Sequence, residues 1–176
     1  MMKLDYEKMR EEFKNNQMML DCIDNLQEFE EYHYLLVGND NIKKEITTQY
    51  NIKNEEFEKW LKYCDGGLLF DTVMLSKQAI DKEKDLEFDS YEDYNKDKRS
   101  YDLDDKYCII GFRSYGDIIC INTEENDKKV YLLNVETGEF DDIWNSFTDW
   151  ITEEIDEAIK LIADNTLEPV PAKLED

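Results

Sequence analysis

The sequence predicts an α+β fold, a mostly antiparallel sheet of about four to six strands with helices packed against it. Three observations carry this. Apolar residues recur at helical spacing in the N-terminal third and again near the C-terminus. Between them lie short runs rich in Ile, Val, Leu and Tyr, bounded by polar loops. Two glycine-aspartate corners, Asp65-Gly66-Gly67 and Gly116-Asp117, stand beside those runs. Neither corner carries a nucleophile, a metal cluster or a phosphate cradle. Both look like fold-defining bends, which points to a protein that binds another protein.

The elements follow in order. Met9, Phe13, Leu20, Ile23 and Leu26 at loosely helical spacing predict a helical extension over residues 1–38. The cluster Asn39-Asp40-Asn41 breaks and caps the chain. Ile42, Ile46 and Tyr50 then give one apolar stripe on a short helix. Asn54 is a good N-cap for the next helix, with Glu55 and Glu56 in a first turn that favours acids. Phe57, Trp60, Leu61 and Cys64 form its buried face, with Trp60 as a core residue. Gly66 and Gly67 are expected to end this helix in a left-handed cap.

Leu68 to Leu75 reads as the first strand. The stretch 81–105 holds eleven acids and five bases and reads as an insertion-like loop with one irregular helix around Tyr91 and Tyr94. Tyr107 to Phe112, Asp117 to Asn122 and Val130 to Val135 are three further strands, the last two joined as a hairpin. Gly111 and Gly116 read as backbone devices for tight bends. Thr137-Gly138 marks another turn. Ser146 caps the C-terminal helix, with Asp149 at its third position. Phe147, Trp150, Ile151, Ile155, Ala158, Ile159 and Ile162 fall on its buried side. Asp149, Glu153, Glu154, Asp156 and Glu157 fall largely on the other. Pro169 and Pro171 end regular structure, and the tail 169–176 is expected to fray. The domain proper therefore spans 39–168, with the acidic insert inside it.

The 176 residues carry 44 acids against 21 Lys and Arg, a net charge of −23. Such a field repels phosphate backbones and anionic lipid surfaces, and it steers a basic protein inward. Nucleic acid and membrane are therefore excluded as partners. Cys22, Cys64, Cys108 and Cys120 form no C-x-x-C pair, and the one histidine is His33, so no zinc site and no cofactor is expected. Cys64, Cys108 and Cys120 read as small core residues, which suits a reducing cytoplasm. The acidic N-terminus shows no signal-peptide pattern, and no apolar run reaches membrane-spanning length.

Asp65 and Asp117 read either as turn residues capping local N–H groups or as the rim of a binding cleft. Trp144, just ahead of the last helix, is the best single anchor for a partner, while Phe147 and Trp150 read as core. Tyr91 and Tyr94, interleaved with Asp89, Glu92, Asp93 and Asp97, form a second candidate surface for a basic partner. The doublets Glu124-Glu125 and Asp141-Asp142 could in principle hold Mg²⁺ or serve as an acid–base pair, but adjacent residues in a strand point to opposite faces, so such doublets seldom converge. No serine stands in a nucleophile frame. A metal-dependent enzyme is the weakest of three readings.

The order of helix, Asp65-Gly66-Gly67, strand, spacer, strand, Gly116-Asp117, hairpin and Trp144-Asn145-Ser146-Phe147 before an acidic helix resembles the SUKH superfamily over roughly Ile42 to Ile162. That group includes fungal cell-wall-synthesis regulators and bacterial immunity proteins. The resemblance implies a non-catalytic protein that neutralises a cognate toxin domain, in this family often a nuclease, whose active face is basic. The alternative it implies is a regulatory or scaffold module binding cellular partners.

Overall fold

A computed structural model describes residues 3–77, 80–81, 86–87, 89–124 and 126–170. Part of the acidic insert, Glu125 and residues 171–176 of the expected tail lie outside the described residues. Six α-helices are present among them: α1 (Tyr6–Glu12), α2 (Gln17–Glu28), α3 (Asp40–Gln49), α4 (Glu55–Leu61), α5 (Tyr91–Asn95) and α6 (Phe147–Ala163). Each starts on an Asp, Asn or Ser whose side chain accepts a hydrogen bond from the backbone N–H three residues on.

The strands are β1 (Tyr34–Val37), β2 (Cys64–Leu69), β3 (Thr72–Met74), β4 (Ile80–Asp81), β5 (Leu86–Glu87), β6 (Tyr107–Arg113), β7 (Ile118–Asn122), β8 (Val130–Leu133) and β9 (Phe140–Trp144). Seven of them form one antiparallel sheet in the order β1-β2-β3-β6-β7-β8-β9, and β4 and β5 pair separately. The fold class is therefore the expected α+β, with more strands than the four to six read from the sequence.

Three elements depart from the sequence reading. The first 38 residues are not only helical, because Tyr34–Val37 pair with β2 as an edge strand. The run Leu68 to Leu75 is not one strand. It folds back at Phe70-Asp71, with Leu69 opposite Thr72 and Phe70 at φ +58°. Burial of the Phe70 ring edge-on to His33, centroids 5.6 Å apart, offsets a backbone conformation that bulky residues avoid. Gly66 and Gly67 do not cap α4, which ends at Leu61; they lie inside β2. Gly66 sits at φ +76°, and a Cβ there would stand 2.0 Å from the carbonyl oxygen of Leu75.

Helices cover both faces of the sheet. Helix α6 packs on α2, α4 and β9 through Phe147, Trp150, Ile151, Ile155 and Ala158, all buried. Phe147 gathers Phe57, Trp60 and Trp150 around it at centroid distances of 5.4, 5.7 and 5.5 Å. Trp60, Phe147 and Trp150 are thus core, as their spacing suggested. Arg113 reaches α6, so its neighbour Phe112 points to the far face. There Tyr94 of α5 stacks on Phe112 at 5.0 Å. The amide of Asn95 closes this contact: its oxygen accepts from the Ile109 N–H at 2.8 Å and its nitrogen donates to the Ile109 carbonyl at 3.0 Å. Part of the acidic insert therefore packs on the sheet instead of looping free.

Candidate functional site

The joint between α6 and the sheet is built on one buried carboxylate. Glu154 accepts from Thr72 Oγ1 at 2.9 Å, from Trp150 Nε1 at 3.2 Å and from Arg113 Nε at 3.0 Å, and it also pairs with the second arm of the same guanidinium. The sequence reading placed Glu154 with the solvated acids. The structure buries it because both carboxylate oxygens meet donors, Oε2 that of Thr72 and Oε1 those of Trp150 and Arg113, which offsets the desolvation of the charge. Burial works to lower the Arg113 pKa, and the Glu154 charge and the Tyr115 hydroxyl together hold it above its ordinary value.

Outside this joint lies a cleft of about 320 Å³ between the β6–β7 turn, β9 and α6. Trp144 stands beside Arg113, whose guanidinium lies 5.7 Å from its ring centroid, and the indole N–H is held by Glu153. Tyr115, 63% exposed, forms the rim, and its hydroxyl accepts from Arg113 at 3.1 Å. Asp71, Asp142, Glu153 and Glu157 complete the lining. The side chains of Asp71 and Asp142 have no cation partner among the described residues. Arg113, the one cation in the lining, is committed to Glu154. A shallower hollow of about 390 Å³ continues from the cleft along α6, sharing Asp142, Trp144, Glu153 and Glu157 and adding Asp149 and Asp156. Its one lysine, Lys160, pairs with Glu157 at 3.0 Å. The surface sets these acids beside the rings of Trp144 and Tyr115.

The other residues singled out from the sequence lie elsewhere. Asp65 is wholly buried in β2, where its carboxylate accepts from the Lys77 N–H at 2.9 Å. Asp117 closes the β6–β7 turn: its carbonyl accepts from the Arg113 N–H at 2.9 Å, and its carboxylate accepts from the Val135 N–H at 3.4 Å. Gly116 in the same turn has φ +101° with open space where a Cβ would stand. Gly111 lies in β6, where a Cβ would meet the Val73 carbonyl oxygen at 2.5 Å. Tyr91 is buried with its ring 5.6 Å from Tyr50, and Tyr94 is stacked on the sheet, so both turn inward and away from Trp144. Of the candidate partner-binding residues, Trp144 lines the cleft. Asp71, Tyr115, Asp142, Glu153 and Glu157 are the neighbours that sequence reasoning missed. Glu153 and Glu157, one helical turn apart on α6, were the available signal.

Asp141 and Asp142 diverge as expected, Asp141 accepting from Asn134 Nδ2 at 3.0 Å while Asp142 enters the cleft. Among the described residues no group of three or more His, Cys, Asp or Glu is placed to hold a metal ion. No helix among them is long and apolar enough to cross a membrane.

Helices on a seven-stranded antiparallel sheet, with an acidic aromatic cleft at one end, define an α+β interaction domain. Residues 44–153 match the family model for SMI1 / KNR4 (SUKH-1), and the chain belongs to that family. The resemblance drawn from the sequence is thereby borne out. The matched stretch starts inside α3 and ends inside α6, so it takes in β9, Trp144 and Glu153. No curated protein and no solved structure matches the chain.

Proposed function

We propose that this chain is an immunity protein that binds and neutralises a cognate toxin domain, a nuclease, of a bacterial polymorphic toxin system. The cleft around Trp144 carries the reading. Its lining carries Asp71, Asp142, Glu153 and Glu157, its one arginine is already paired, and its aromatic walls suit the cationic side chains of a basic protein. A nuclease holds a polyanion, so its active face is basic. The SUKH grouping includes immunity proteins of this kind, and the net charge of −23 speeds the encounter. Inhibition is stoichiometric: the acidic face covers the basic one and excludes the nucleic acid. The protein acts in the cytoplasm of the producing cell.

The test is co-expression with the product of the adjacent gene. Rescue of growth with a stable one-to-one complex, lost in Trp144→Ala, supports the reading. A well-folded chain that neither rescues nor binds refutes it and moves the assignment to a regulatory scaffold.

A further inference from the structure

The sheet ends at β9, and that end is open. Strand β9 pairs with β8 alone, and no other described strand lies beyond it. The opposite edge strand, β1, pairs with β2 alone, and the C-terminal segment passes just ahead of it, where the Val170 N–H donates to the Glu31 carbonyl at 2.8 Å. Along β9, Asp142 and Trp144 face the cleft, while Ile143, 52% exposed, and Phe140 face the other side. A bulge interrupts the pairing at Asp141.

We infer that the basic partner docks by adding an extended strand to the free edge of β9. The inference rests on the reading above for the sign of the partner's charge. An added strand lies about 4.8 Å from β9, and its side chains alternate between the two faces. Those on the α6 side enter the cleft beside Asp142 and Glu153 and must be Lys or Arg. Those on the other side lie over Ile143 and must be apolar. The partner segment is therefore a basic–apolar alternation. Backbone hydrogen bonds give affinity in this mode, and the alternating side chains give specificity. Charge complementarity selects this occupant over a second copy of the chain, because two β9 edges would set Asp141 and Asp142 against their own copies. Acids and a bulge protect an edge from self-pairing; here the same acids admit a strand of opposite charge.

The test uses the full chain, isotope-labelled, and the peptide acetyl-Lys-Val-Lys-Val-Lys-Val-Lys-amide. A second peptide of the same sequence is N-methylated along its backbone, which keeps every charge and removes the donors. The expected result is slowed amide exchange and shifted resonances over 140–144 with the first peptide. Binding of the second should be roughly tenfold weaker, the loss of about two hydrogen bonds. Asp142→Asn with Glu153→Gln should weaken binding of the first peptide and reduce its dependence on salt. Equal binding of both peptides, shifts away from β9, or no binding at ~1 mM peptide overturns strand addition. The two readings separate cleanly. A partner that rescues growth while β9 exchange stays unchanged keeps the immunity reading and removes this one. Strand addition without rescue does the reverse.

Discussion

Replacing Glu154 by glutamine tests whether one carboxylate locks α6 to the sheet. The side chain accepts from Thr72, Trp150 and both arms of Arg113. Glutamine keeps the shape, removes the charge and turns one acceptor into a donor facing donors. Breaking a buried ion pair by removing one partner costs roughly 3–5 kcal/mol. The Arg113 side chain keeps 24% of its exposure, so water recovers part of its solvation and the expected loss is about 2–3 kcal/mol. In a chain of this length that lowers Tm by roughly 4–12 °C. Urea unfolding followed by tryptophan fluorescence measures it. Arg113→Met alone leaves the Glu154 charge buried with two neutral donors and should cost a similar amount. The double variant Arg113→Met with Glu154→Gln should lose less than the two single variants summed, a coupling of about 1.5 kcal/mol or more. A Glu154→Gln loss under ~0.5 kcal/mol, or additivity of the two sites within ~0.5 kcal/mol, would refute the argument.

Three further outcomes follow from the same structure. Trp60→Ala removes a wholly buried ring from the cluster around Phe147 and should cost roughly 3–5 kcal/mol in chemical unfolding; a loss under ~1 kcal/mol would show the ring is not core. Gly66→Ala should prevent soluble expression, because its Cβ would lie 2.0 Å from the Leu75 carbonyl oxygen. Gly116→Ala, with nothing within 4 Å, should cost only the ~1–2 kcal/mol of a left-handed residue, and equal effects at the two sites would be inconsistent with this geometry. Burial raises the thiol pKa from 9.0 to about 11 at Cys22 and to about 12 at Cys108, so the native protein should resist thiol reagents at pH 8 and react on unfolding. The folded thiols keep protons that the unfolded chain releases. Stability should therefore fall as pH rises above about 9, and stability rising over that range would reverse the sign.

What the sequence made legible was set by short-range chemistry. Asn54 and the Phe57, Trp60, Leu61 face encode their helix locally, through a cap and a 3.6-residue period. Strand β1 was hidden because Tyr34–Val37 follow directly on helical spacing, with no turn residue between. The Phe70-Asp71 reversal was hidden because turn residues normally announce a hairpin, and here a buried contact with His33 holds the backbone instead. Strand β9 was hidden because two of its five residues are acids on an open edge. The half-exposed place of Trp144 was legible because an aromatic just ahead of a helix cap rarely belongs fully to the core. Its acidic neighbours were not legible. Asp71 and Tyr115 reach the cleft only through long-range pairing of β3 with β6. Glu154 looked like any acid on a solvated face until the sheet brought Arg113 and Thr72 to it.

On the proposed reading, the buried Glu154 also favours Trp144 over the tyrosines of the insert as the anchor. A binding residue gains most when its position is settled before the partner arrives, because less side-chain entropy is lost on docking. Trp144 meets that condition twice over. The Arg113 guanidinium stands beside its ring, and Glu153 holds its N–H. Arg113 is itself fixed by Glu154, so the orientation of the indole is traced back to a carboxylate inside the α6 joint. Tyr91 is held by burial, which removes its ring from a partner's reach, and Tyr94 is half-buried, with one face of its ring stacked on Phe112. The same logic divides the acids of α6. Glu154 is used inside the molecule to orient an aromatic wall, while Glu153 and Glu157, on either side of it along the helix, lie at the cleft, Glu153 holding the Trp144 N–H and Glu157 paired with Lys160. Losing Glu154 should therefore loosen Trp144 and weaken a partner's grip even though Glu154 lies beneath the cleft surface.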